Sequence, residues 1–250
     1  MKVSVITVCF NAETTIAQTL TSVAQQSYKD IEHIIVDGAS TDETMEIVQA
    51  NSQRLAKVIS EPDQGLYDAM NKGLAIASGD IVGILNADDV YQDDNVVARV
   101  VESFTGSDVE AVYADLVYVE QNNLSQVRRT YISGEYQTGR CFQGWMPAHP
   151  TLYLRREAHE KIGHYNLAVG AQADLEYCAR AFEIHKVQSR YVAQTWVRMR
   201  IGGVSNRRAL SRVKANWRSY LALRDLGLRS NPIKFFFKKF ATKLPGFISK

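Results

Sequence analysis

The first half of the sequence alternates short β-branched runs with helical patterns, and this alternation constrains the fold more than any other feature. The apolar runs have few polar positions, as expected of strands buried on both faces, and lie at residues 3–10, 31–36, 58–60 and 81–85. Between the first two runs, Ile16, Leu20 and Val23 recur at helical spacing. Strands that alternate with helices form right-handed crossovers. The sequence therefore predicts an α/β fold with a mostly parallel sheet flanked by helices.

Polar residues follow three of these predicted strands. Asn11 follows the first, Asp37 and Gly38 end the second, and the segment Asn86-Ala87-Asp88-Asp89 ends the fourth. The carboxyl ends of parallel strands meet at one edge, where ligands bind. Carboxylates there suit Mg²⁺ or Mn²⁺, and such an ion would favour the departure of a diphosphate. Ordinary helix capping and turn chemistry are the alternative explanations for these residues.

The second half of the sequence is less regular. Strands are predicted at 111–119, 152–154 and 187–195, and residues 120–150 indicate a hairpin and loops. Asp174 begins a predicted helix in which Leu175, Cys178 and Phe182 share one face. A dinucleotide-binding fold is not favoured, because no GxGxxG motif follows the first strand.

Charge divides the 250-residue chain into two parts. The formal net charge is only +2, yet residues 207–250 contain twelve basic side chains and one acidic one, whereas residues 1–206 contain seventeen basic and twenty-six acidic ones. Residues 207–250 are predicted to form a basic amphipathic helical extension, with a helix beginning near Arg207. Lysines interleaved with phenylalanines at 233–240 suit an anionic membrane surface. A helix pair packed on the body is the alternative; no nucleic-acid-binding motif accompanies the extension.

The cysteine content and the N-terminal sequence together predict the cellular compartment in which the protein lies. Cys9, Cys141 and Cys178 are scattered and form no CxxC motif, which argues against a disulfide scaffold or a structural zinc site. No signal peptide precedes the first strand, and no apolar run reaches the roughly 18 residues that span a bilayer. We therefore expect a cytoplasmic protein, held by its extension at the inner face of the cytoplasmic membrane.

Several ordered motifs together resemble the family 2 glycosyltransferases, enzymes of the GT-A fold that use nucleotide-diphosphate sugars. The resemblance runs from residue 3 to about 94 through the segments VSVITVCFNAETTIAQTLTSVAQQSY, IIVDGASTDET and EPDQGLYDAMNKGLAIASGDIVGILNADD. It resumes in AHPTLYLRREAHEKIGHYN, AQADLEYCAR and GGVSN. It thus covers about residues 1–206, which we expect to form one GT-A catalytic domain with a Rossmann-like sheet.

The resemblance implies a donor-binding role for the strand-end loops. Asp37 matches the family's contact to the nucleotide base, and Asp88 matches the metal-binding end of its DxD motif, which implies a Mn²⁺ or Mg²⁺ cofactor. Asn86 stands where many members have an aspartate, so the predicted metal site has one charge less. The remaining donor-binding residues implied by the resemblance are Thr7, Cys9, Asn11, Asp68, Asn71, Lys72 and Ala87.

The resemblance also implies that Asp174 is the general base. A carboxylate that takes the proton of an acceptor hydroxyl, opposite the departing diphosphate, predicts inversion at the anomeric carbon. Helix capping is the alternative role for Asp174, and Glu176 is the alternative base. Contacts to the acceptor or the diphosphate are expected from Asp89, Trp145, His149, Arg198 and Arg200, the two arginines as a phosphate clamp in a lid.

These features predict an inverting, metal-dependent glycosyltransferase. The acceptor is expected to be a saccharide or lipid-linked saccharide hydroxyl in surface polysaccharide or lipopolysaccharide biosynthesis. One alternative is a sugar-1-phosphate nucleotidyltransferase, although the sequence after the first strand lacks the glycine-rich basic loop that class needs. Another is an inactive nucleotide- or glycan-binding module, for which Asn86 is the main argument. The sequence predicts no oligomeric state.

Overall fold

The computed structural model describes residues 1–51, 55–202, 217–218, 220–227 and 235. The predicted start of a helix near Arg207 and most of the segment at 233–240 lie outside these residues. The described strands are β1 Val3–Cys9, β2 Ile31–Asp37, β3 Leu55–Ser60, β4 Ile81–Ile84, β5 Asp89–Tyr91, β6 Ala111–Glu120, β7 Asn123–Tyr131, β8 Tyr153–Arg155 and β9 Ser189–Arg200. The α-helices are α1 Ile16–Ala24, α2 Thr44–Ala50, α3 Leu66–Ile76, α4 Val96–Phe104, α5 Arg156–Ile162 and α6 Ala173–Ala179, which continues into a π-helical turn at Arg180–Ile184.

The four predicted strands of the first half form a parallel sheet in the order β3-β2-β1-β4. Every residue of β1 is buried. Ile6 packs in one hydrophobic cluster with Met70 of α3, while Val5 packs in another with Val23 of α1. Helices on both faces explain why this strand shows no polar alternation.

Beyond β4 the sheet becomes mixed. It continues as β8-β6-β9-β5, with β7 paired to β6. The pairs β4–β8, β6–β8, β6–β7 and β5–β9 are antiparallel, and β6–β9 is parallel. The predicted α/β architecture is confirmed, but its parallel character is limited to the first half and the β6–β9 pair. A tight turn joins β6 directly to β7, and such a connection produces an antiparallel pair.

The described part of the basic extension contacts the body of the protein. Residues 220–225 are helical, and Leu223 is only 1% exposed within the largest hydrophobic cluster. Phe235 is fully buried in the same cluster. Trp217, in contrast, is 51% exposed. Within the described residues, no helix combines the length and the apolar character that crossing a bilayer requires.

Candidate active site

The loops after β1, β2 and β4 meet at the carboxyl edge of the parallel strands. The backbone N–H of Gly38, after β2, donates to the carbonyl oxygen of Cys9 at 2.9 Å. The backbone N–H of Ala87, after β4, donates to the carbonyl oxygen of Val8 at 3.3 Å. β1 therefore supports both loops, and the polar strand ends meet at one edge of the sheet, as the sequence predicted.

Asn11 connects the first two of these loops. Its backbone has a φ of +48°, a left-handed conformation that asparagine tolerates better than most residues. Its N–H donates to Ser40 Oγ at 2.8 Å, and its Oδ1 accepts from the N–H of Thr41 at 2.9 Å. Asn11 thereby fixes the shape of the loop that follows Asp37.

The Asp37 carboxylate lies beneath that loop and is fully buried. Its Oδ2 accepts from the Ser40 N–H at 3.0 Å and from Ser60 Oγ at 2.7 Å, and its Oδ1 accepts from Ser40 Oγ at 2.5 Å. The Cys9 thiol also donates to Oδ1, with an S···O distance of 3.6 Å. A nucleotide base that contacts this carboxylate would have to replace one of these donors.

Two residues beside this loop were not singled out from the sequence. Phe10 directly follows β1 and is 63% exposed at the site edge. Asp63 lies against Gly38, where an added Cβ would come within 2.5 Å of Asp63 Oδ2. Burial and the charges of the Asp37, Asp42 and Asp63 carboxylates raise the pKa of Cys9, which remains a thiol. An aromatic residue between a buried strand and a polar loop is the signal that would have identified Phe10.

Residues 86–89, called here the 86–89 loop, carry the predicted metal-binding carboxylate. Asp88 is half-buried and Asp89 is fully buried. Asn86 Nδ2 donates to Asp89 Oδ2 at 3.3 Å. Thr19 of α1 donates its hydroxyl to the carbonyl oxygens of Ala87 and Asp89, at 2.9 and 2.7 Å. The loop is therefore attached to α1 as well as to β1.

Burial disfavours the charged forms of the carboxyl groups in this loop. It raises the pKa of Asp88, while the residue's own N–H and the Arg200 charge act in the opposite direction. Burial and the neighbouring Asp88 raise the pKa of Asp89. Two buried oxygens, Asn86 Oδ1 and Asp89 Oδ1, have no hydrogen-bond partner in the described part of the chain. Buried polar atoms in a native fold normally bind a protein group, a water molecule or an ion.

The donor atoms of the 86–89 loop fit a divalent cation. The carboxyl groups of Asp88 and Asp89 and the amide oxygen of Asn86 are hard ligands, the type that Mg²⁺ and Mn²⁺ prefer. Among the described residues, no three His, Cys, Asp or Glu side chains converge on one point. A cation here would therefore take further ligands from the donor diphosphate and water, as is usual for Mg²⁺ at phosphate sites.

The predicted donor residues outside these loops contact other protein groups. Thr7 Oγ1 lies 2.9 Å from His33 Nε2 inside the sheet. The Asn71 amide holds the backbone of Tyr165, accepting at 2.8 Å and donating at 3.0 Å. Lys72 pairs with Glu61 at 2.8 Å and lies 3.8 Å from Asp68, all on or beside α3. The predicted site residues that the structure brings together at the carboxyl edge of the parallel strands are Cys9, Asn11, Asp37, Asn86, Ala87, Asp88 and Asp89.

Asp174 lies in the first turn of α6, whose cap residue is Gln172. It is half-buried, and its Oδ1 accepts from the N–H of Leu175 at 2.8 Å. Burial raises the pKa of Tyr67 on α3, and the Asp174 carboxylate contributes through its charge and a hydrogen bond. Burial lowers the pKa of His149, an effect that the Asp174 charge opposes. Asp174 is therefore not the helix cap, and it lies near Tyr67 and His149.

Glu176, the alternative base, occupies a different environment on the same helix. It is 4% exposed and forms an ion pair with Arg180, with an N···O distance of 2.8 Å. The paired carboxylate stabilises α6 and is shielded from solvent. Of the two acidic residues, Asp174 is the more accessible to an acceptor.

The other residues that the sequence predicted to contact the acceptor or the diphosphate make hydrogen bonds or packing contacts within the protein. Trp145 donates its indole N–H to the Ser133 carbonyl at 2.8 Å and packs among aromatic rings. His149 Nε2 lies 2.8 Å from the Tyr165 hydroxyl. Arg198 donates to Gln92 Oε1 and to a backbone carbonyl, both at 3.0 Å. Arg200 is 3% exposed and donates to three protein oxygens, so the alternative of a solvent-exposed side chain is wrong, and the phosphate clamp in a lid stays a prediction.

Comparison with known proteins identifies the class of this fold and site. Residues 4–163 match the model of glycosyl transferase family 2. A PGL/p-HBAD biosynthesis glycosyltransferase of Mycobacterium bovis is 32% identical over 192 residues, which cover 76% of this chain and 73% of that protein. The chain therefore belongs to glycosyl transferase family 2, and the nucleotidyltransferase and inactive-module alternatives are not favoured.

Solved structures show the same GT-A fold. TarS residues 1–349 from S. aureus, in complex with UDP-GlcNAc, superposes with a TM-score of 0.74 at 17% identity, covering 96% of this chain and 73% of that one. The mannosyltransferase PcManGT from Pyrobaculum calidifontis, in complex with GDP-Man and Mn²⁺, has a TM-score of 0.67 at 19% identity, with coverages of 98% and 70%. The GT-A architecture expected from the sequence is confirmed.

Proposed function

We propose that this glycosyltransferase moves one sugar, with inversion, from a nucleotide-diphosphate donor to an acceptor hydroxyl and requires a divalent cation. The observation that carries the proposal is the 86–89 loop. It places the half-buried Asp88 across β1 from Asp37, at the edge where α/β sheets bind ligands, together with Asn86 Oδ1 and Asp89 Oδ1, two buried oxygens that lack a hydrogen-bond partner among the described residues. The nucleotide and Mn²⁺ in the structural neighbours support this interpretation.

The donor is proposed to lie across β1. Asp37, Cys9 and Asn11 form the nucleoside end, with exposed Phe10 as a flat apolar surface for the base. The 86–89 loop forms the diphosphate end, where Asp88 would hold Mn²⁺ or Mg²⁺, assisted by Asn86 and Asp89. When bound, the ion supplies positive charge that stabilises the departing diphosphate. Asp68, Asn71 and Lys72 of α3 are proposed to border the donor sugar.

Asp174 is proposed to activate the acceptor. Its carboxylate takes the proton of the acceptor hydroxyl as that oxygen bonds to the anomeric carbon. The bond between the anomeric carbon and the phosphate oxygen breaks at the same time, and its electron pair leaves with the nucleoside diphosphate. Attack opposite the leaving group inverts the anomeric configuration. Tyr67, whose raised pKa reflects burial and the nearby Asp174 charge, is proposed to orient the carboxylate. Trp145, His149 and Arg198 are proposed to shape the acceptor side.

The acceptor is proposed to be a lipid-linked or surface saccharide, handled at the cytoplasmic face of the membrane. The described part of the extension supports this arrangement. Leu223 and Phe235 attach it to the body, while Trp217 and the exposed cations Arg218 and Arg224 face outward. Basic residues with exposed aromatics suit an anionic headgroup layer.

A thermal-shift screen over nucleotide sugars tests the donor site. A ligand at 100 times its Kd stabilises a fold by about 2.7 kcal/mol, and each kcal/mol raises the Tm of a chain this long by roughly 2–4 °C. We expect one donor to raise the Tm in the presence of Mn²⁺, and Asp88→Ala to lose the Mn²⁺-dependent part. An unchanged shift in Asp88→Ala would contradict the assignment of Asp88.

A further inference from the structure

The side chain of Arg200 crosses from the end of β9 to the proposed donor edge. It is only 3% exposed. One terminal nitrogen donates to the backbone oxygen of Asp88 and the other to Gln18 Oε1 of α1. Its Nε donates to the backbone oxygen of Gln121, in the β6–β7 turn, at 3.1 Å. A single guanidinium thus joins α1, the 86–89 loop and the β6–β7 hairpin.

This contact acts on the backbone of the residue whose side chain is proposed to bind the metal. Fixing the Asp88 carbonyl fixes the peptide plane that follows Asp88, and with it the backbone position from which the carboxylate projects. Thr19 holds the carbonyls on either side of Asp88 from α1. β5 pairs with β9 at the adjacent register, Asp89 opposite Met199. Arg200 holds the carbonyl oxygen of Asp88, which lies between the two carbonyls that Thr19 binds.

Charge also explains why an arginine occupies this position. A buried cation is costly unless it is paired and hydrogen-bonded. The Asp88 and Asp89 carboxylates act on the Arg200 guanidinium and favour its charged form, while burial lowers the pKa of Arg200. The planar fork of the guanidinium reaches three oxygens on different elements, which the single ammonium of a lysine does not.

We propose that Arg200 is a positioning residue that holds the 86–89 loop in the shape required for binding the metal and the diphosphate. The proposal rests on the proposed donor site. It assigns Arg200 no contact with the substrate, because the nitrogens of its guanidinium donate to protein oxygens. Residues that support metal ligands from behind typically change metal affinity or activity 10- to 100-fold when replaced.

Calorimetric titration of the full chain with UDP, GDP, ADP and dTDP, each with and without Mn²⁺, tests this role. We expect Arg200→Gln to weaken nucleotide binding about 10- to 100-fold in the presence of Mn²⁺ and to leave metal-free binding unchanged. Arg200→Lys should recover part of the loss. Gln18→Ala, which removes one anchor of Arg200, should weaken Mn²⁺-dependent binding in the same direction by a smaller factor.

Arg190→Gln is the matched control. Arg190 also lies on β9 and donates to a backbone carbonyl, Ser103 O at 2.7 Å, but it is remote from the 86–89 loop. Its substitution should leave both affinities unchanged.

Equal binding by Arg200→Gln and wild type, or an equal loss with and without Mn²⁺, would overturn the positioning role. If circular dichroism shows Arg200→Gln to be unfolded, wild-type affinity in Gln18→Ala would overturn it. A wild-type chain that binds none of these nucleotides with Mn²⁺ would instead refute the proposed donor site.

Discussion

Asp174 and Glu176 lie two positions apart on α6, and the structure gives them different environments. Glu176 is buried in an ion pair with Arg180, whereas Asp174 is half-buried and makes no ion pair within the described residues. A general base must be reachable by the acceptor hydroxyl. The difference in accessibility, which one sequence does not reveal, favours Asp174.

Asp174→Asn should separate donor binding from transfer. An amide keeps the shape of the side chain but does not take a proton, so we expect kcat to fall about 10²- to 10⁴-fold while donor affinity stays near wild type. Kinetics with titrated donor measure both quantities. Glu160→Gln, an exposed change on α5, is the control. A kcat that remains near wild type would remove Asp174 from the proton transfer.

The buried carboxyl group of Glu32 is expected to make the stability of the fold depend on pH. The side chain is 3% exposed. Burial raises the pKa of its carboxyl, but hydrogen bonds from Ser4, Ser78 and Lys2 outweigh burial and hold the pKa at about 2. A pKa below that of the unfolded chain means that the carboxylate stabilises the fold above about pH 4, and that this contribution disappears as the pH falls toward 2.

Glu32→Gln should therefore destabilise the protein by roughly 2–3 kcal/mol at pH 7. The difference from wild type should shrink as the pH falls from 5 to 2. Urea unfolding at a series of pH values measures this difference, with Glu46→Gln, at an exposed position of α2, as the control. A difference that does not change with pH would show that the charge of Glu32 does not contribute to the free energy of unfolding.

At the scale of elements, α3 packs directly on β1 through a glycine. A Cβ added to Gly73 would come within 2.4 Å of Ile6 Cγ2. This close approach keeps the donor-side helix against the central strand. Helix propensity favours alanine over glycine by up to about 1 kcal/mol, so sequence statistics and packing predict opposite effects here.

Gly73→Ala should destabilise the protein by about 1–3 kcal/mol, because overpacking of a buried contact outweighs propensity. Ala75→Gly, at an exposed position of the same helix, should cost about 1 kcal/mol or less by propensity alone. Urea midpoints of both variants measure the effects. Stabilisation by Gly73→Ala would mean that α3 moves away from β1 at little cost.

The sequence predicted the elements that have a repeating apolar pattern. The first four strands and the polar strand ends follow from β-branched runs and their terminators, and α1 follows from the helical spacing of Ile16, Leu20 and Val23. A hairpin was predicted within residues 120–150, but the bounds of β7 did not follow, because most of its residues are exposed and it has no continuous apolar face. β5 has three residues, and its strand conformation depends on pairing with β9. The burial of Arg200 depends on the same distant pairing, so no local pattern reveals it.

At the scale of the whole molecule, residues 1–206 carry an excess of acidic side chains and the extension carries an excess of basic ones. Leu223 and Phe235 are buried in the main cluster, so deleting the extension would expose core as well as remove charge. Charge substitutions that keep these two residues are therefore the better test of membrane binding. Each basic residue near an anionic surface contributes about 1 kcal/mol.

Arg218→Gln combined with Arg224→Gln should reduce binding to phosphatidylglycerol-containing vesicles by about tenfold or more at low salt. The control removes two exposed cations from α5 instead, by Arg156→Gln with Lys161→Gln. Vesicle sedimentation measures both. An intact protein that does not bind such vesicles would contradict membrane association, and equal losses in both variants would contradict a role specific to the extension.

The central claim is sugar transfer from a nucleotide-diphosphate donor at the carboxyl edge of the parallel strands. Its most direct test is release of nucleoside diphosphate from a panel of nucleotide sugars, with Mn²⁺ and saccharide acceptors, by wild type and by Asp88→Ala. We predict that the wild type consumes one donor and forms a product of inverted anomeric configuration, and that Asp88→Ala loses this activity. Turnover that Asp88→Ala retains in full, or the absence of turnover with every donor and acceptor, would contradict the account.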